Sequence, residues 1–183
     1  ISSTDREQHE TSYGYDSLSR LVQVQDPLGH ITAYTYDARG NLLGVKDADN
    51  QTTLYEYDGN SRLVKETRPL GQETSYVYDA AGRLTQKIDA KGQKIEYTYD
   101  DAGRLEETNY YETAASSTAV KTVEYTYDDS GRLTGWSDGT LSGAYGYDGL
   151  GRKITESVDY GDFEKTCTYG YYRNGLKDRK SVV

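Results

Sequence analysis

The 183-residue chain carries 30 acidic against 21 basic residues, a net charge of −9, and 20 tyrosines beside one phenylalanine, one tryptophan and no methionine. That charge excludes recognition of nucleic acid or an anionic membrane by bulk electrostatics, and no segment approaches the roughly 20 apolar residues of a membrane-spanning helix. With 34% apolar residues and one cysteine, Cys167, neither a thick aliphatic core nor an internal disulfide holds the fold. Tyrosine must supply much of the buried area, each ring removing roughly 150 to 250 Å² from water while its hydroxyl seeks a partner.

The opening Ile1-Ser2-Ser3-Thr4 begins neither a signal peptide nor a natural chain start, and both ends read as cut points in a longer protein. From Tyr13 onward one element recurs, Tyr-x-Tyr-Asp. Its intact copies start at Tyr13, Tyr34, Tyr55, Tyr76, Tyr97, Tyr125 and Tyr145, and a decayed copy is Tyr169-Gly170-Tyr171-Tyr172. The step from Tyr15 to Tyr99 is 21 residues four times running, then 28, 20 and 24. The repeats lie near 13–33, 34–54, 55–75, 76–96, 97–124, 125–144 and 145–168, with a degenerate one at 169–183.

Each Asp opens Asp-x-x-Gly-Arg-Leu, intact at Asp79 to Leu84, Asp100 to Leu105 and Asp128 to Leu133. Asp accepts a bond from the backbone two residues on and Gly takes the left-handed conformation, which predicts a hairpin with a glycine bulge. A second turn follows about ten residues later, at Asp26-Pro27-Leu28-Gly29, Asp47-Ala48-Asp49-Asn50, Arg68-Pro69-Leu70-Gly71 and Asp89-Ala90-Lys91-Gly92. Between the turns lie segments of six or seven residues rich in Thr, Tyr and β-branched side chains, too short for helices. The predicted fold is all-β, an antiparallel meander of tandem hairpins with about 15 strands, curled or spiralling because wide twisted sheets do not stay open.

Both rings of Tyr-x-Tyr share one side of a strand. Pairing of the first turn residue with the fifth adds Leu21, Leu42, Leu63, Leu84, Leu105 and Leu133 to the tyrosine face. Because the step is odd, the second turn is expected to switch parity by closing over an even number of residues. The opposite face is then Val22, Val24, Val45, Glu56, Glu66, Lys87, Glu96 and Glu106, mixed and largely wet. An open strand edge is expected, with edge-to-edge self-association when it is uncovered. Thr113 to Ala119, in an insertion at 111–120, predicts a longer, flexible hairpin tip. Beyond Gly149 the repeat decays, with Lys153 in a Leu position, Tyr172 for Asp and Leu176 for Arg, and an irregular or frayed end is expected.

The residues Tyr36-Asp37-Ala38-Arg39-Gly40-Asn41-Leu42 and Tyr99-Asp100-Asp101-Ala102-Gly103-Arg104-Leu105 resemble the YD repeats of the RHS family, over most of the chain. Proteins with such repeats include bacterial polymorphic toxins, insecticidal toxin complex components and teneurins. The resemblance implies a spiralling sheet that closes, in the whole protein, into a hollow shell around a toxin or other cargo polypeptide. It also implies a secreted or cell-surface setting and partners in the rest of the parent shell and its cargo. The RHS core segment with its self-cleaving aspartate has no counterpart here, so no catalytic residue carries over and no enzymatic role is expected.

The candidate functional residues are Tyr13, Tyr15, Tyr34, Tyr36, Tyr55, Tyr57, Tyr76, Tyr78, Tyr97, Tyr99, Tyr125 and Tyr127. They either pack as ladders across strands or form a stacking platform for glycans in an extracellular adhesion or carbohydrate-binding array. Asp100-Asp101, Asp128-Asp129 and Asp47-Ala48-Asp49-Asn50 offer oxygen donors, but turn chemistry already demands Asp there and no Ca²⁺ loop spacing is met. Arg62, Arg83 and Arg104 face Asp58, Asp79 and Asp100 across the turn as exposed pairs. His9 and His30 sit in no catalytic motif, Cys167 reads as a small packed residue, and Asn50-Gln51-Thr52 is a sequon relevant to a eukaryotic secretory setting. Neither a cofactor nor a metal is expected.

Overall fold

The computed structural model describes residues 2–4, 10–172 and 176–182. It divides into two compact units, Ile1–Gly92 and Gln93–Val183, and among the described residues all regular structure is β-strand. The first unit holds β1 (Ser2–Thr4), β2 (Glu10–Tyr15), β3 (Leu21–Gln25), β4 (Ile31–Tyr36), β5 (Leu42–Lys46), β6 (Thr52–Tyr57), β7 (Leu63–Thr67), β8 (Glu73–Tyr78) and β9 (Leu84–Ile88). The second holds β10 (Lys94–Tyr99), β11 (Leu105–Tyr111), β12 (Lys121–Tyr127), β13 (Leu133–Ser137), β14 (Ser142–Tyr147), β15 (Lys153–Asp159), β16 (Glu164–Tyr171) and β17 (Lys177–Val182). Within each unit every strand pairs antiparallel with the next in sequence, from β1–β2 to β8–β9 and from β10–β11 to β16–β17.

The turns fold as their residues dictate. At Asp58, Oδ1 accepts the N–H of Asn60 and of Arg62 at 2.9 and 3.0 Å, while the Asp58 N–H donates to the Arg62 carbonyl at 3.0 Å. The fourth turn position is left-handed, at Gly40, Gly82 and Gly103 with φ of 92°, 86° and 79°. Ser19 and Ser61 adopt the same conformation with φ of 61° and 62°, which costs an L-residue about 1 to 2 kcal/mol.

The parity switch lies elsewhere than the sequence placed it. The second turn at Asp47 closes like the first, its N–H donating to the Gln51 carbonyl at 2.9 Å, and Lys46 pairs with Thr52, so the loop is odd. The switch is a β-bulge beside the first turn: Tyr36 pairs with Leu42 but Thr35 with Gly44, leaving Leu43 as the extra residue. The same slip recurs at Tyr15, Tyr57 and Tyr78 in the first unit and at Tyr99, Tyr127, Tyr147 and Tyr171 in the second. One inserted residue advances the alternation by one.

The bulge changes the membership of the faces. Val24, Val45, Glu66 and Lys87 pair with Tyr13, Tyr34, Tyr55 and Tyr76 and therefore lie on the tyrosine face, not opposite it. Glu56 and Glu96, each beside a tyrosine in sequence, do lie opposite. Val22 and Glu106 occupy the extra-residue position of the bulge. Thr134, in that same position, bonds the Thr126 hydroxyl at 3.2 Å, which orients this position away from the tyrosines.

Two hairpins of the second unit close over two residues. Asp138 donates to the Leu141 carbonyl and Tyr160 to that of Phe163, with Gly139 and Gly161 at φ of 83° and 84°. A glycine at the first central position suits a tight hairpin of this kind. The expected irregularity after Gly149 is not seen in β15 and β16, which run seven and eight residues; their tip stacks Tyr160 on Phe163 with centroids 4.8 Å apart. Of the degenerate repeat, residues 173–175 and 183 lie outside the described residues.

The inserted hairpin tip is tied down. Lys94, only 9% exposed, donates to the Ser116 carbonyl at 3.2 Å and pairs with Glu96 at 2.9 Å. Its ammonium sits 3.9 Å from the centroid of the Tyr111 ring, whose hydroxyl donates to Glu96 at 2.7 Å. The flexible tip expected from Thr113 to Ala119 is thus fastened to the face opposite Tyr97 and Tyr99, because a lysine under it satisfies a loop carbonyl.

Neither unit has a thick core. Among the described apolar residues only Val123 and Tyr169 count as buried, at 9% and 8% exposure, and no large side chain is fully covered.

Candidate functional site: an aspartate, arginine and tyrosine ladder

The tyrosines share one face of each strand, and the second rings at Tyr36, Tyr78, Tyr127, Tyr147 and Tyr171 meet the preceding hairpin. In the first unit Arg62 bonds Asp58 through Nε at 2.7 Å. It then reaches forward to donate to the Asp79 carbonyl of the next hairpin at 3.0 Å. Its guanidinium lies 4.9 Å from the Tyr78 ring centroid, and the Tyr78 hydroxyl donates back to the Leu63 carbonyl at 2.9 Å. Arg20 repeats the set with Asp16, the Asp37 carbonyl and Tyr36, whose hydroxyl donates to Leu21. In the second unit Arg104 does so with Asp100, the Asp128 carbonyl and Tyr127. Arg132 and Arg152 cover Tyr147 and Tyr171 at 4.8 and 4.6 Å.

Arginine suits this place because its planar group stacks on the ring while its edge still donates to a carboxylate and a carbonyl. The pairs expected as exposed across-turn pairs are therefore partly covered, Arg62 and Asp58 being 27% and 24% exposed. Around Asp37 the pattern is rewired. Asn41 stands in the arginine position and bonds Asp37 and Ser61 at 2.7 and 3.1 Å, while Arg39 donates to the Gly59 carbonyl.

These bonds set the electrostatics. In Asp16, Asp79, Asp100 and Asp128 the backbone N–H of the following arginine leads in holding the carboxyl below its ordinary range. In Asp58 and Asp148 the arginine side chain leads. Burial pushes the hydroxyls of Tyr57, Tyr76 and Tyr127 up.

Eleven of the twelve candidate tyrosines are half-buried along the ladder, and Tyr15 is 47% exposed. The candidate oxygen donors of Asp47 serve the turn, accepting Asp49 and Gln51 N–H groups. His30 bonds Asp26 at 2.8 Å on the surface, and His9 lies outside the described residues. Cys167 is half-buried on β16 opposite Glu156, and Asn50 is an exposed turn residue.

Sequence reasoning missed Lys153. In its leucine position it sits over Tyr145 and Tyr169 at 5.2 and 5.5 Å and pairs with Glu156 at 2.9 Å. Glu156 also accepts the Tyr169 hydroxyl. The signal was Glu156 three residues after it, a charge able to hold a lysine among rings.

Residues 1–31, 21–52, 36–74, 57–94 and 78–111 match the RHS Repeat family model. No curated protein sequence matches the chain. Among solved structures, the chain is similar to the crystal structure of TcdB2-TccC3-Cdc42 with a TM-score of 0.73 and 18% identity, covering 90% of this chain and 10% of that one. It is similar to TcdB2-TccC3 without its hypervariable C-terminal region with a TM-score of 0.71 and 18% identity, covering 99% and 11%. The Photorhabdus luminescens Tc holotoxin pore follows with a TM-score of 0.52 and 18% identity, covering 95% and 9%. The chain thus spans about a tenth of the length of these structures, and the likeness is one of fold. With matched repeats covering residues 1–111 of 183, the chain belongs to the RHS repeat family.

Proposed function

We propose that this chain is a wall segment, a structural part of a hollow β-shell that encloses a toxin or other cargo polypeptide in a larger secreted or delivered protein. The observation that carries the reading is the ladder itself. Asp, Arg and Tyr groups, which elsewhere serve binding or catalysis, are engaged here, at Arg20, Arg62, Arg104, Arg132 and Arg152, in joining one hairpin to the next. A sheet braced within its own plane can stand as a thin wall without a second layer to cover it. Similarity to the TcdB2-TccC3 structures supports the same reading.

Small-angle scattering over a concentration series tests it. A cross-section one sheet thick, about 10 Å, with association growing with concentration through open edges, is expected. A compact particle of unchanging mass would overturn the wall reading in favour of an autonomous binding module. Glycan-array binding that disappears in Tyr36→Ala and Tyr57→Ala variants would equally replace it with an adhesion role.

A further inference from the structure

One joint inside the first unit is built without its arginine. Arg20, Arg62, Arg104, Arg132 and Arg152 each lay a guanidinium 4.6 to 4.9 Å from the centroid of the next hairpin's ring. Between the hairpins at Asp37 and Asp58 the same position holds Asn41, whose short amide ends on Asp37 and Ser61. Asp37 is therefore the one described first-turn aspartate with no arginine on its carboxylate. The rest of the joint is in place. The Asp58 carbonyl, counterpart of the Asp79 carbonyl that accepts Arg62 at 3.0 Å, has among the described residues only the Ser61 N–H. The Tyr57 ring is half-buried with no cation over it. Burial leads in pushing its hydroxyl up, and Tyr55 and Asp37 add to the shift, so the ring lies in the field of that unpaired carboxylate. The space is wide enough for a guanidinium. Ser61 takes the place that Gly82 and Gly151 hold in their turns, where an added β-carbon would stand 3.7 and 3.5 Å from Nη1 of Arg62 and Arg132, ordinary contact distances.

We propose that the space over Tyr57 is a docking slot for a guanidinium group, an arginine side chain carried by a partner polypeptide. That arginine stacks on the Tyr57 ring and donates to the Asp58 carbonyl and the Asp37 carboxylate, the acceptors that Arg62 and Arg104 find in their own joints. Asp37 keeps lone pairs for it, because Oδ2 accepts only the Asn41 amide while Oδ1 takes the N–H groups of Arg39 and Asn41. The chain's net charge of −9 favours a cationic visitor. The two arginines nearby are engaged elsewhere, Arg20 on the Asp37 carbonyl at 2.7 Å and Arg39 on the Gly59 carbonyl. Arg68, another exposed arginine that a second copy would offer, is held by Glu66 at 3.0 Å, so the occupant is a different polypeptide. Lysine fits less well, because a compact ammonium cannot lie flat on a ring and donate from its edge at once. The inference stands whether or not the array encloses a cargo.

The test titrates the isotope-labelled chain with acetyl-Ala-Arg-Ala amide and follows backbone amide shifts by NMR. Saturable shifts centred on residues 57–61 are expected, half-complete at about 1 to 10 mM, the range for one cation stacked on a ring and hydrogen-bonded to an anion. The matching lysine peptide should bind about threefold more weakly. Asn41→Arg supplies the guanidinium in cis and should abolish the shifts. Tyr57→Leu leaves Asn41 and its bonds in place and should weaken binding about threefold, whereas Tyr57→Phe should retain it. That pair decides the matter where the longer side chain at position 41 unsettles the turn. The absence of saturable shifts at 57–61, or equal binding by the parent chain and by folded Asn41→Arg or Tyr57→Leu, would overturn the inference. Shifts of the same amides on raising the chain's own concentration without peptide would also overturn it, by assigning the slot to an arginine of a second copy.

Discussion

Ser19 and Ser61 fill a left-handed position that glycine takes in most of the other first turns. Ser19→Gly relieves the conformational cost and is expected to stabilise the chain by about 0.5 to 1 kcal/mol, net of the extra freedom glycine brings to the unfolded state. Ser61→Gly should gain less, because the Ser61 hydroxyl accepts a bond from Asn41. Thermal melts of the two variants check the order, and an equal gain would contradict it. The ladder aspartates have folded-state pKa values below their ordinary ones, so the stability they contribute is present above about pH 4. It is lost as pH falls through the folded values; outside the ladder, in the two-residue hairpin, Asp138 is held at about 2 by its bond from Lys121. The unfolding midpoint should hold between pH 7 and 5 and drop steeply from pH 4 to 2.5 by circular dichroism. The turn role of these aspartates was legible in the sequence because their partners lie two and four residues away. The lidding role of Arg62 was not, since its second acceptor lies 17 residues on and its ring belongs to a neighbouring strand.

At the level of single strands, the alternation of Tyr-x-Tyr showed which residues share a face, and the first turn correctly brought Leu42 and Leu63 onto it. The further bulge past the turn, at Leu43 and its equivalents, was hidden, because an extra residue leaves no mark in a repeat whose length absorbs it, and so Val45 and Glu66 were placed on the wrong side. Gly143 shows a constraint of the same kind. It lies across from Trp136 on β13, and a β-carbon there would stand 2.2 Å from the indole nitrogen, so the ring lies flat over a residue without a side chain. Gly143→Ala forces the indole out and should cost about 1 to 3 kcal/mol. The chain's single tryptophan reports it directly, through a shift in emission toward that of a wetter indole, and an unchanged spectrum would show that the sheet gives way instead.

Over the whole chain, nearest-neighbour bonding makes stability close to a sum of repeat and joint contributions. Removal of residues 37–57 joins Tyr36 to Asp58, keeps every remaining turn and bulge in phase, and should leave a folded β protein with a modestly lower melting point. Removal of 38–57 leaves two aspartates at one turn and throws Tyr36 off its partner, and should cost far more. Far-ultraviolet circular dichroism and melts of both deletions separate these outcomes; equal losses would mean that the joints do not depend on phase.

The one-directional reach of the arginine has a consequence for inheritance. Because no bond of the ladder spans more than one neighbouring unit, a gene encoding it can gain or lose a whole unit by unequal recombination without compensating substitutions elsewhere. Array length is then a trait that selection can tune separately from sequence.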